Sequence, residues 1–540
     1  MARRPACGEA DPRRARARSL GIAGLLCALA CAGHSASARA TPLEDVGFEA
    51  LRAAVPHLAD GSGLSLTQVE ASTSPAEEAP IYFPDGSNAA IVHVTFSDRS
   101  GGAANGSSGH ATGVAARLAG TTTSLTPGLA EIDVFEASDW LSRILFNGGF
   151  APRTPDTTLI NHSWAGSSGD AAQDVDLLMR ADWLVADRAR TLVVGMRSNA
   201  ALLAEAHNVL AVHSTGQAPA LASTPLGVGY PGGRNLTHIV APQPTTSAAT
   251  ATVSSALNLL AAEQMRLGRA PHPAVLGKAI LMASAQRAVE NSDQSAINDY
   301  RASAAMQADN GLDTRYGAGQ LDILAAHAVS TAAASPPDAQ TPPASAASTA
   351  THDASADRRA RALPITASGH SYVEAFGGAE GSPTEAHYSL TIPEPGARLS
   401  ATLAFNARIL DTEPGAGFTP TAEPGNLDLS LLRIESDQTE QVLATSAATA
   451  SSTETVHFDH LPAGTYRLEV RTLANQGSAP MAYALAWYLM PAPEAAMLPL
   501  LGHPLLALAA LLGVGGVGGF AGIARRGPQH KRCARVPACV

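Results

Sequence analysis

From residue 64 to residue 326, short apolar runs alternate with longer Ala/Leu/Val-rich runs, and this alternation limits the fold more than any other feature. Residues 64–69, 89–96, 157–161, 191–195 and 206–212 read as strands. Residues 139–146, 174–190 and 274–284, and the stretches that open at His110 and Ser247, read as helices. Strand, helix and strand in succession build a parallel sheet with helices on its faces. The sequence therefore predicts a doubly wound, mostly parallel α/β domain over residues 41–330. Hydrophobic residues make up 45% of the chain and aromatic residues only 4%, so its core must be packed from Ala, Leu and Val.

The flanking segments read differently. Residues 1–40 have a basic start, an apolar run from Leu20 to Ala32 and an A-x-A site at Ala38-Arg39-Ala40, the pattern of a cleaved export signal. All five cysteines (Cys7, Cys27, Cys31, Cys533 and Cys539) lie in the terminal segments, which leaves no disulfide framework or Cys-metal site between them. Residues 331–362 are rich in Pro, Ala, Ser and Thr and read as a disordered linker. Residues 363–490 carry period-two stretches such as H-Y-S-L-T-I and Y-R-L-E-V-R between turns, which predicts an all-β sandwich. In residues 491–540 an apolar run from Ala495 to Ala524 precedes Arg525-Arg526. That run is long enough to span a bilayer, and the arginines predict a cytoplasmic end. The formal net charge of −11 argues against nucleic acid as a partner.

Three residues stand where chemistry would need them. Glu70 ends a strand, and His110 and Ser247 each open a helix. A helix N-terminus offers unpaired N–H groups and partial positive charge, which favour an activated hydroxyl and an oxyanion beside it. Acid, His and Ser in that order form an orienter, base and nucleophile set. For Ser247 and His110 alone the simpler reading is helix capping, and for Glu70 a solvated strand end. Asp98 is a rival acid, but it stands only twelve positions before His110 (110 − 98).

Four motifs carry a resemblance over roughly residues 61–326. His110-Ala111-Thr112-Gly113-Val114-Ala115 resembles the H-G-T-x-V-A of subtilisin-like serine proteases (subtilases), and Thr246-Ser247-Ala248-Ala249 resembles their T-S-x-A. Leu159-Ile160-Asn161-His162-Ser163-Trp164 is similar to the family's I-N-x-S strand, and Tyr316-Gly317-Ala318-Gly319 to its closing Y-G-x-G. The resemblance implies a subtilisin-like fold and a serine endopeptidase with Ser247 as nucleophile, His110 as base and Glu70 as orienting acid. It further implies Asn199 as oxyanion donor, and Ser163, Trp164 and Gly166 as substrate contacts. No organic cofactor is implied. Calcium is common in the family, but no acidic loop here identifies a site.

The sequence departs from the family at several points. Glu70-Ala71-Ser72 replaces Asp, a small residue and Gly; Ala111, Thr245 and Ala251 replace a Gly, a Gly and a Pro. A catalytically inactive subtilisin-like fold that binds or scaffolds at a surface is therefore the alternative. An acid-active Glu/Asp/Ser set is a third reading. Leu461-Pro462-Ala463-Gly464-Thr465-Tyr466 resembles the L-x-x-G-x-Y turn of jelly-roll domains appended to secreted proteases, and Pro491-Ala492-Pro493-Glu494 with the apolar run and arginines resembles a PEP-CTERM sorting signal. Together these place the protein outside the membrane, at the cell envelope or extracellular surface, with a peptide or protein substrate and a C-terminal membrane contact.

Overall fold

The computed structural model describes residues 41–74, 78–197, 202–216, 237–341, 368–378, 383–423, 425–472 and 479–490. The export signal at 1–40, the sorting or anchor segment at 491–540 and Asn199 lie outside these residues. Among the described residues no helix is long and apolar enough to cross a membrane.

Seven parallel strands form the central sheet. They are β1 (Ser65–Glu70), β2 (Thr95–Asp98), β3 (Glu131–Glu136), β4 (Leu159–His162), β5 (Thr191–Gly195), β6 (Leu210–Ser214) and β7 (Ile239–Ala241), in the order β2-β3-β1-β4-β5-β6-β7. Helices cover both faces, so the central strands are apolar in both directions. Val193 packs with Val114 and Leu118 of the Gly109–Ala119 helix and with Val253 of the Thr246–Arg266 helix. Its neighbours Leu192 and Val194 belong to the core on the opposite face, with Trp140 and with Leu178 and Leu184 of the Ala171–Arg188 helix. This is the doubly wound α/β arrangement.

The strand expected over 89–96 is shorter than its composition suggests. Only Thr95–Asp98 pairs with β3, and the preceding residues turn, with Ile91 N–H on the Asn88 carbonyl and Val94 N–H on that of Ile91. Ile91 and Val94 are buried while Val92 is 66% exposed, an i, i+3 burial pattern that a strand cannot produce.

The second region is an antiparallel sandwich. One sheet takes the strands Ala339–Thr341, Glu385–Ile392, Gly464–Thr472, Leu427–Ile434 and Glu440–Ser446 in that spatial order. The other takes Gly369–Phe376, Met481–Met490, Ala397–Phe405 and Thr453–Leu461. Leu390, Leu399, Leu429, Leu468, Leu485 and Trp487 fill the space between the sheets. The predicted linker needs correction at its start: Ala339–Thr341 is an edge strand paired with Glu385–Ile392, and Asp338 accepts the Ser389 N–H at 2.5 Å. Backbone pairing requires no apolar periodicity, so composition gave no sign of this strand.

The sandwich is packed onto the α/β region. Ala404, Ala484 and Ala486 join the core that contains Leu276 and Ile280 of the Ala274–Ala283 helix. Polar contacts reinforce this seam. Buried Lys278 donates to the Val209 carbonyl at 3.1 Å, and Ser452 Oγ donates to the His207 carbonyl at 2.6 Å. The Asn208 side chain accepts from Ala407 N–H at 2.8 Å and donates to its carbonyl at 3.0 Å, as one more strand would.

Candidate active site

Glu70 is the last residue of β1, and its side chain is fully buried. Its Oε2 meets His110 Nδ1 at 2.7 Å. This contact fixes the imidazole tautomer: Nδ1–H donates to the carboxylate, leaving Nε2 as the acceptor. Burial pushes the Glu70 carboxyl up, against the stabilising pull of His110 and Gln68. The hydrogen bond to Glu70 raises His110 above the usual histidine range, partly opposed by desolvation. Glu70 is thus no solvated strand end. The rival acid Asp98 is engaged elsewhere, accepting from Tyr82 Oη at 2.7 and 2.8 Å.

His110 and Ser247 occupy equivalent places on their helices. Ser108 caps the first helix, with Oγ accepting from Ala111 N–H, and His110 is the second helical residue. Thr245 caps the second, with Oγ1 accepting from Ala248 N–H, and Ser247 is its second residue. Capping is therefore done by a neighbour in both cases, which releases His110 and Ser247 for other contacts.

Ser247 Oγ donates to the Ser163 carbonyl at 2.9 Å, and Ser163 Oγ donates back to the Ser247 carbonyl at 2.9 Å. Ser163 follows the end of β4. Asn161 supports it, donating to Ser163 Oγ at 2.9 Å and accepting from Ser254 Oγ at 3.0 Å. Because β1 and β4 are neighbours in the sheet, the Glu70–His110 contact and the Ser163–Ser247 contact lie side by side at its C-terminal edge, strands being about 4.8 Å apart. Among the described residues no hydrogen bond joins Ser247 to His110; the Ser247 hydroxyl bonds to Ser163.

The other expected substrate residues differ in availability. Trp164 is half-buried, and its Nε1 donates to His162 Nδ1 at 3.2 Å. His162 is fully buried between Trp140 and Trp164, and burial lowers it to about 3, so it is neutral. Gly166 exchanges backbone hydrogen bonds with Leu202, at 3.0 Å and 3.4 Å, so its N–H and carbonyl are already in use. Asn199, the expected oxyanion donor, lies outside the described residues. No group of three or more His, Cys, Asp or Glu that could hold a metal occurs among the described residues.

Two further residues were given no role by the sequence reading, although Asn161 stands in a quoted motif. Gln68 and Asn161 are in register on adjacent strands, and both are fully buried amides. The available signal was period two: Gln68 stands two positions before Glu70, and Asn161 two before Ser163, so each shares a strand face with a site residue.

No family model and no curated protein matches the sequence. Among solved structures, the prenylagaramide maturation protease PagA is 19% identical, with 52% of this chain and 97% of that one covered at a TM-score of 0.35. The PatG macrocyclase domain is 14% identical, with 48% and 94% covered at 0.34. MycP1, a serine protease described as an essential component of the type VII (ESX-1) secretion system, is 15% identical, with 53% and 87% covered at 0.33. Likenesses this distant carry no argument about the chemistry of this chain.

Proposed function

We propose that the protein is a serine endopeptidase that hydrolyses peptide bonds through Ser247, His110 and Glu70. The observation that supports this best is the 2.7 Å contact between His110 Nδ1 and the fully buried carboxylate of Glu70. A buried acid of this kind orients the imidazole and stabilises it once protonated. Ser247 Oγ attacks the scissile carbonyl, and the O–H proton passes to His110 Nε2. The C–N bond then breaks as His110 returns that proton to the leaving amine, and water repeats the cycle on the acyl-enzyme. The first step needs the Ser247 hydroxyl to leave the Ser163 carbonyl and turn towards His110. The Ser247 backbone N–H near the helix N-terminus, with Asn199, is our assignment for the oxyanion. Ser163, Trp164 and Gly166 line our assigned substrate cleft. The protein is proposed to be exported by residues 1–40 and held or sorted at the envelope by residues 491–540.

The hydrogen bond from Ser247 Oγ to the Ser163 carbonyl favours a second reading, an inactive fold retained for surface binding. Fluorophosphonate labelling of the purified protein, wild type beside Ser247→Ala, separates the two. Labelling that Ser247→Ala abolishes supports the hydrolase. A folded wild type that does not label rejects it and leaves the binding module.

A further inference from the structure

Gln68 takes part in no step proposed above, yet its place is unusual. It is fully buried in β1, two residues before Glu70 and on the same face. Its Nε2 donates to Glu70 Oε1 at 2.9 Å and to the Ala111 carbonyl at 2.9 Å. Both amide hydrogens are therefore used, one on the acid and one on the first turn of the helix that carries His110. Among the described residues its Oε1 is buried without a partner. Turning the amide over would set that oxygen against two other acceptors, so the orientation is settled by chemistry. A buried acceptor left unsatisfied is destabilising.

We propose that Gln68 is a positioning residue, which clamps the Glu70 carboxylate and the His110 helix together so that Glu70 Oε2 meets His110 Nδ1. The proposal rests on the serine-hydrolase reading for its catalytic consequence. The physical need follows from residue type. A glutamate has one more rotatable bond than an aspartate, so its carboxylate has more positions to sample. One oxygen held by Gln68 leaves the other aimed at the histidine. The clamp also supplies a donor that favours the ionised form of the carboxylate, against the effect of burial. Few charged groups face this pair. Glu136 stands beside Glu70 in register on β3, but its Oε2 accepts from Asp139 N–H at 2.8 Å. Asp98 on β2 is bonded to Tyr82. From the His110 helix, Arg117 donates to Gln243 at 3.2 Å and to the Gly113 carbonyl at 2.9 Å. On β4 the residue in register with Gln68 is the neutral Asn161.

The test is Gln68→Met in the full chain, which keeps the side-chain length and removes both donors. Two quantities are read: the pH profile of fluorophosphonate labelling, and the titration of His110 by NMR with 13C-labelled histidine, assigned by His110→Gln. Gln68 stabilises the carboxylate most when His110 is neutral and shares none of its charge. Removing it raises the proton affinity of the pair. The acid limb of labelling and the His110 titration should both move up by about 0.5–1 pH unit. The labelling rate on the plateau should fall by about 10- to 100-fold, the range for one hydrogen bond to a charged group. A fall in melting temperature with both pH curves unmoved would overturn the proposal and leave Gln68 a packing residue. Should Gln68→Met not fold, Gln68→Glu keeps the shape; the carboxylate it introduces should shift the curves at least as far upward, and an unmoved His110 titration again overturns the clamp. The NMR arm requires no catalysis. A wild type that never labels therefore rejects the hydrolase reading, while the His110 titration still decides the clamp.

Discussion

The two halves of the site are built alike but closed differently. On one side, β1 presents Glu70 to His110 through a contact that can carry charge, backed by Gln68. On the other, β4 leads into Ser163, which exchanges two neutral hydrogen bonds with Ser247, backed by Asn161. Each half joins a strand end to the second residue of a helix, and each is steadied by a buried amide two residues upstream. The difference lies in strength and in reversibility. A hydrogen bond to an ionised group in a buried setting is roughly twice as strong as a neutral one. The His110 half is thus set in place, whereas the Ser247 hydroxyl is held weakly enough to turn. In the proposed mechanism the acid and base are therefore assembled in advance and the nucleophile is engaged last.

The comparison can be broken most severely at the proposed nucleophile. Ser247→Ala should abolish fluorophosphonate labelling and lower peptide hydrolysis by about 10⁵–10⁶-fold, measured as kcat. Glu70→Gln keeps the size of the acid but removes its charge, and hydrolysis should fall by about 10³–10⁴-fold. The same variant sharpens the pH argument. Glu70 raises His110, and a protonated His110 cannot accept the Ser247 proton. Activity in the wild type should therefore rise through a pKa above about 6.5, the ordinary histidine value, and Glu70→Gln should bring that limb back to about 6.5 or below. Activity that persists unchanged at pH 4 would instead indicate carboxylate chemistry.

A smaller effect should separate the halves. Ser163→Ala removes the bond to the Ser247 carbonyl but leaves its own carbonyl in place. Hydrolysis should change by less than about tenfold, and the acid limb should not move, because nothing on the His110 side is touched. A shift in that limb would show that the halves are coupled before substrate binds. The smallest effect on chemistry should come from the sandwich seam. Ala484→Leu overfills the core shared with the Ala274–Ala283 helix, and a loss of about 1–3 kcal/mol in stability should appear in thermal melting, with the pH profile of labelling unchanged.

Legibility differed among the elements for physical reasons. β5 and its helical neighbours were plain because a strand buried on both faces must be a continuous apolar run. The run at 89–96 misled because Ile91 and Val94 satisfy a turn as well as a strand, and only their local hydrogen bonds, to residues three positions back, distinguish the two. Capping was resolved by one residue in each helix: Ser108 and Thr245 accept the free N–H groups, which neither motif alone could have settled. Gln68 was passed over because a polar residue in a strand signals burial or exposure equally until its neighbours are known.

Local periodicity and turn chemistry were enough to specify the layered α/β region, the sandwich and the strand or helix end at which Glu70, His110 and Ser247 stand, because those properties depend on residues near in sequence. Which acid meets His110, where the Ser247 hydroxyl points and what fills the seam under Ala484 depend on groups brought together across long separations, forty positions between Glu70 and His110 and eighty-four between Ser163 and Ser247. Those outcomes follow from strand order and helix packing, which place β1 beside β4 although neither sequence contains a mark of the other.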